Sequence, residues 1–308
     1  MKPVLVALSA LLLIAAKAPT APIIHTEDVT SFYRLYEQAS GYPTAEQLQK
    51  DYLDPGSPGL HRLASLRNVT GARIADAIAK NPAMYADARR CLAVLPPVKT
   101  RLVATFGRLE RLYPGAQFPP VTIAVGRGKP VGVSDETGVM IGLEALCAVP
   151  YFDADVEDRF VHVIAHEYTH TQQALAAPAL YNKKDPTVLE TALVEGAAEF
   201  VAEITSGGVA NPGIRAEARG RETAIETAFA DDEDKTDLSA WFYNGTMQKP
   251  GDLGYWVGYR IVKSYWLQAP DKRRALSEIL GLTDAHAFLK ASGWRPGIGL
   301  PARVQTPR

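Results

Sequence analysis

Two cysteines in 308 residues are too few for a disulfide scaffold, and Cys91 and Cys147 lie too far apart for a Cys-x-x-Cys redox or zinc site. An excess of charge is missing as well: 33 Lys and Arg stand against 34 Asp and Glu, a formal net charge of -1, with no basic run. Nucleic acid and anionic lipid are therefore not expected partners. No internal repeat is present, which excludes solenoids and propellers. No apolar run reaches the roughly 20 residues that a membrane-crossing helix needs. What is there is 47% hydrophobic and 22% charged, the balance of a globular chain with a sizeable core, in one large domain or two close-packed lobes.

The N-terminus has a character of its own. Lys2 precedes the apolar run Val4 to Ala16, and Lys17-Ala18-Pro19-Thr20-Ala21-Pro22 follows with small residues and proline. Residues 1–21 thus have the three parts of a secretory signal, and the expected address is export, periplasmic or secreted, with no stable membrane span after cleavage. An uncleaved anchor is the alternative. No cysteine follows the run, which argues against a lipoprotein. An exported chain meets an oxidising compartment in which Cys91 and Cys147 can pair, although two buried thiols fit the sequence equally well.

Patterning predicts an α+β fold, mostly helical. Residues 22–118 form a helical region, with helices expected over Thr30 to Glu37, Ala45 to Leu53, Leu60 to Leu66, Ile74 to Ile78, Tyr85 to Leu95 and Leu102 to Leu112. Past Pro119-Pro120 the periodicity changes. Val121 to Val125, Val131 to Val133 and Val139 to Leu143 are short β-branched runs between glycine-rich turns, the pattern of a small sheet. Its edge strand could pair with an extended peptide or simply pack under the next helix. A helix capped by Asp153 or Asp155 then opens near Val156 and stops before Pro178. The next starts at Asp185-Pro186-Thr187 and ends at Gly207-Gly208. A helix over Ile214 to Ala230, a solvated acidic run Asp231 to Asp234, an aromatic helix over Tyr255 to Trp266, short helices at Leu276 to Leu280 and Ala285 to Leu289, and a loose tail over residues 293–308 complete the reading.

The helix after the sheet carries the chemistry: His166-Glu167-Tyr168-Thr169-His170 is a His-Glu-x-x-His signature. Residues four apart on a helix lie one above the other, roughly 6 Å along the axis, so His166 and His170 can aim at one zinc ion. Glu167 projects about 100° round the helix, beside the metal as a base. Catalytic zinc wants three protein ligands and an open position. His162, one turn earlier, cannot be the third, because three ligands stacked along one straight helix do not surround a tetrahedral ion. A histidine at close downstream spacing is absent, since Gln173 and Ala176 stand where a glycine and a histidine would be required. Glu195 is the best third ligand: it lies on the following helix, and Ala192, Gly196, Ala197 and Ala198 remove bulk around it. Asp185, Glu190 and Glu199 compete for that role, and Glu199, one turn on, also suits a hydrogen bond to a ligand histidine. His25, His61 and His286 stand apart from any ligand cluster.

His166 to His170 together with Glu195-Gly196-Ala197-Ala198-Glu199 resembles a gluzincin metallopeptidase. With Gly254-Tyr255-Trp256-Val257-Gly258-Tyr259, it is similar more specifically to a bacterial family of predicted zinc-dependent proteases of unknown physiological role. The resemblance covers about Val121 to Leu289 and implies a zincin-like domain over residues 119–292, Zn²⁺ held by His166, His170 and Glu195, and a peptide substrate. It also implies Glu167 as general base and a later tyrosine as oxyanion donor, Tyr255 or Tyr259, with Tyr255 preferred as nearer the glycine-rich loop. Trp256 and Trp266 are expected in the core. A catalytically inactive zincin-like binding or scaffold protein is the alternative, and an intact Glu167 argues against it. An exported binding module with a coincidental histidine helix is a further one. Sequence does not specify the oligomeric state.

Overall fold

A computed structural model describes residues 22–129, 131–149, 152–246 and 251–304; the expected signal over residues 1–21 lies outside the described residues. The fold is α+β and mostly helical, with one small mixed sheet. The strands are β1 (Ile24–His25), β2 (Val121–Ala124), β3 (Gly132–Asp135) and β4 (Gly138–Gly142), ordered β1-β2-β4-β3. β1 and β4 run parallel to β2, and β3 returns antiparallel to β4 as the outer strand. In the turn between them, Asp135 accepts hydrogen bonds from the Thr137 amide and hydroxyl. Gly138 takes φ +141, and a β-carbon there would fall 2.2 Å from the Pro120 carbonyl oxygen.

β2 and β4 are buried at every position, so their apolar runs are continuous rather than alternating. Helices Glu27–Gln38 and Pro58–Arg67 pack against β2, the latter also against β4, while the His-Glu helix, Val156–Ala176, packs on β3 and β4. One continuous hydrophobic cluster runs from Val29 to Trp294. Cys91 and Cys147 form a disulfide that ties the 3-10 helix Arg89–Val94 to the short helix Leu143–Ala148.

The helix starts follow from their caps. Asp155, not Asp153, caps the His-Glu helix by accepting the Asp158 amide, and Thr187 with Glu190 closes a capping box on the glutamate helix, Val188–Ser206. One strand was not foreseen, and four expectations are corrected. The strand β1 carries no alternation signal in two residues and exists through its pairing with β2. The β3 strand is shifted to Gly132–Asp135 by its register with β4. The helix expected over Ile214 to Ala230 is two, Pro212–Ala218 and Glu222–Asp232, broken at Gly220 with φ +78. The C-terminal stretch, as far as it is described, is anchored rather than loose: Arg260 donates to the Ile298 carbonyl, and Glu226 takes Gly297 N–H at 2.6 Å. The acidic run is partly structural too, since the carbonyls of Glu233 and Lys235 accept the Leu189 and Val188 amides at the start of the glutamate helix.

Candidate metal centre

The His-Glu helix presents His166 and His170 one turn apart, both buried, with their Nε2 atoms 3.1 Å from each other. The glutamate helix lies alongside and brings Glu195 Oε2 to 3.4 Å from His166 Nε2 and 3.2 Å from His170 Nε2. Ligands about 2.05 Å from a tetrahedral zinc stand about 3.3 Å from one another, so this triangle has the dimensions of one face of a zinc tetrahedron. The donor chemistry agrees: Glu195 Oε2 is buried and accepts no hydrogen bond, an oxygen left for a cation. The residues fit the metal.

The ring nitrogens facing away from this point are held by the protein. His170 Nδ1 lies 2.8 Å from Gln173 Oε1, and the Gln173 amide in turn donates to the Val194 carbonyl at 3.0 Å. An amide oxygen can only accept, so Nδ1 carries the proton and Nε2 keeps its lone pair for a metal. His166 Nδ1 stands 3.2 Å from Glu199 Oε1, close but without the alignment of a full hydrogen bond. With no metal bound, these groups shift one another. Burial disfavours the imidazolium of His166, yet Glu195 and Glu199 outweigh it and raise the pKa; at His170 burial and the charge of His166 oppose the rise, and Glu195 and Glu167 outweigh them. Burial would raise the Glu195 carboxyl, and the two histidines overcome this and lower it.

Glu167 lines the same cleft, of about 590 Å³, with Tyr181, Tyr243 and Tyr255. Its Oε2 accepts a hydrogen bond from Ser134 Oγ at 2.8 Å, and its carboxylate lies against Gly132, where a β-carbon would fall 2.7 Å from Oε1. Both residues belong to β3, so the outer strand forms a wall of the cleft and holds this glutamate. Tyr255 stacks on the His166 ring, 6.1 Å between centroids and 17° between planes. Tyr259 turns elsewhere: its hydroxyl donates to Glu203 and accepts from Lys263 Nζ at 2.8 Å, under the Arg215 guanidinium. The structure thus brings His166, Glu167, His170, Glu195 and Tyr255 together and separates Tyr259 from them. Among the expected competitors, Glu190 serves the capping box and pairs with Lys183, which leaves it the rim of the cleft.

Residues 135–286 match the family described as Predicted Zn-dependent protease (DUF2268). The matched stretch contains all five residues above, and the family is the one that the sequence resembles. No curated protein and no solved structure matches the chain significantly.

Three further points bear on the site. Ser134 and Gln173 escaped sequence reasoning; the signal for the first was Gly132 inside a β-branched run, and the second stood in plain view where a glycine was sought. His162 is turned to Ser206 Oγ, 2.8 Å from its Nδ1, and Gly208 leaves room for its ring. It forms a loose group with Asp153 and Asp158, but Arg101 already binds Asp158 at 2.6 Å. The small residues around Glu195 also have a different use from the one expected. Gly196 receives the main chain of Gly258 on the tyrosine helix, Leu253–Gln268, rather than that of the His-Glu helix.

Proposed function

We propose that the chain is an exported zinc-dependent metallopeptidase whose catalytic domain spans residues 119–292, with His166, His170 and Glu195 as metal ligands. The observation that carries this is the triangle of 3.1, 3.2 and 3.4 Å around an oxygen that nothing else satisfies, with Glu167 beside it. Zinc bound there supplies a Lewis acid for the scissile carbonyl and lowers the pKa of a water to about 7. Glu167 takes the proton from the attacking water and delivers it to the leaving amine. The Ser134 hydroxyl fixes one carboxylate oxygen, leaving the other for that transfer. Burial first, then the charge of Glu195, raises the Tyr255 hydroxyl well above the usual phenol range, so it stays protonated and can donate to the developing oxyanion.

A peptide that displaces the Tyr181 hydroxyl from the Ser134 carbonyl would add to the β3 edge by main-chain hydrogen bonds. Export is supported by the signal pattern of residues 1–21 and by the Cys91–Cys147 disulfide, a bond that persists in oxidising compartments. Among the described residues no helix is long and apolar enough to cross a membrane.

Digestion of a broad peptide library by the metallated protein, with Glu167→Gln beside it, tests the reading. The expected result is cleavage by the wild type and a loss on the order of 10²–10⁴ in rate for the variant, with zinc content unchanged. Equal rates for the two, or no cleavage by a fully metallated wild type, would overturn it.

A further inference from the structure

We propose that Tyr243 is a substrate-contacting residue whose ring forms a shelf on the cleft wall for an apolar or aromatic side chain of the peptide. The proposal rests on the peptidase reading above and adds a binding site on that cleft. Tyr243 lines the cleft with Leu238, Tyr255 and the metal ligands, yet the residue is 74% exposed, more than any other large hydrophobic among the described residues. Its hydroxyl makes no hydrogen bond among the described residues, and its one ring contact there is with the adjacent Phe242, 6.3 Å between centroids. Such a ring contributes little to the folded state.

The chain nevertheless holds it in a costly conformation. Tyr243 has φ +59, in the left-handed region that bulky side chains avoid. A clip maintains it from one side: Asn244 N–H donates to Asp252 Oδ1 at 3.2 Å, Asp252 N–H donates to Asn244 Oδ1 at 2.8 Å, and Asn244 Nδ2 reaches the Ser239 carbonyl at 3.0 Å. From the other side Trp241 and Phe242 are buried, the Trp241 carbonyl accepts Gly254 N–H at 3.0 Å, and the Phe242 ring fills the space where a Gly254 β-carbon would be. Both arms are therefore fixed to the start of the helix that carries Tyr255. Strain of this kind persists where the surroundings over-determine it, and here its product is an aromatic face presented to the cleft. That face, in a cleft also lined by Leu238 and Tyr255, offers dispersion and ring-stacking contacts to an apolar side chain. Arg67 and Lys184 also line the cleft and would instead favour an acidic side chain.

Binding is measured on the Glu167→Gln protein with zinc bound, by fluorescence anisotropy of labelled peptides that carry Phe, Leu, Ala or Glu at each position in turn. The expected result is preference for Phe and Leu at one position, lost about tenfold in Glu167→Gln/Tyr243→Ala and kept in Glu167→Gln/Tyr243→Phe. Tyr243→Gly should lose the same affinity while unfolding at higher temperature, because it relieves the backbone. The proposal is overturned if Tyr243→Ala leaves the Phe and Leu peptides within twofold, if Glu peptides bind best, or if Tyr243→Phe loses as much as Tyr243→Ala. Because this readout is binding to a variant without the base, it stands or falls separately from cleavage by the wild type.

Discussion

Gly196 and Gly258 meet backbone to backbone. A β-carbon at 196 would fall 2.0 Å from the Gly258 carbonyl carbon, and one at 258 would fall 1.7 Å from the Ala192 carbonyl oxygen. Neither obstacle is a side chain that can swing aside. The contact fixes the distance between the helix of Glu195 and the helix of Tyr255.

Gly258→Ala must therefore separate two helices. A loss of more than about 3 kcal/mol in thermal or urea unfolding is expected, at the upper end of overpacking effects. Gly299→Ala, with nothing within 4 Å, serves as the control and should unfold like the wild type.

Zinc affinity should report the groups behind the ligands. Glu195→Ala removes stoichiometric zinc, whereas Glu199→Ala and Gln173→Ala should each weaken binding about 10–100-fold and leave the fold intact. Competition with a chelating dye measures all three. Equal affinity of Gln173→Ala and wild type would show that the His170 tautomer needs no support.

The pH dependence of stability should carry a signature of Lys263, buried near Glu203 and Tyr259. Burial lowers its pKa to about 8, against the pull of Glu203 and with the help of Arg215 and Arg260. Between pH 8 and 10.5 the unfolded chain then binds more protons than the native one, so this group makes stability rise with pH across that window. Urea unfolding of wild type and Lys263→Met at pH 7.5 and 10 checks the sign: the difference between them should shift in favour of the wild type as pH rises.

Reduction of Cys91–Cys147 opens a loop with a sequence separation of 56 residues. Chain-entropy arguments put the cost at about 4 kcal/mol. Unfolding midpoints with and without reductant, and for Cys91→Ser/Cys147→Ser, measure it.

The candidate metal site was legible because each of its parts leaves a mark in one dimension. His166 and His170 have helical spacing, and Glu195 stands among alanines and a glycine that make no sense on a surface helix. The choice between Tyr255 and Tyr259 was not legible, since residues four apart share a face and only the positions of Glu203 and Arg215 separate their surroundings. Nor was β1, because two residues hold no period. Ser134 was hidden for another reason: its meaning depends on β3 lying across the His-Glu helix, a tertiary relationship that local pattern does not encode.

The hydrogen bond from Ser134 to Glu167 has a mechanical side. The Glu167 carboxylate is moored to an edge strand of the sheet, where a peptide would have to take the Ser134 carbonyl from the Tyr181 hydroxyl. A peptide that zips onto that edge stiffens the mooring, so on the function proposed here arrival of a long substrate and immobilisation of the base are one event. Short substrates that do not reach the strand would meet a looser base, and the enzyme would favour length before it favours sequence.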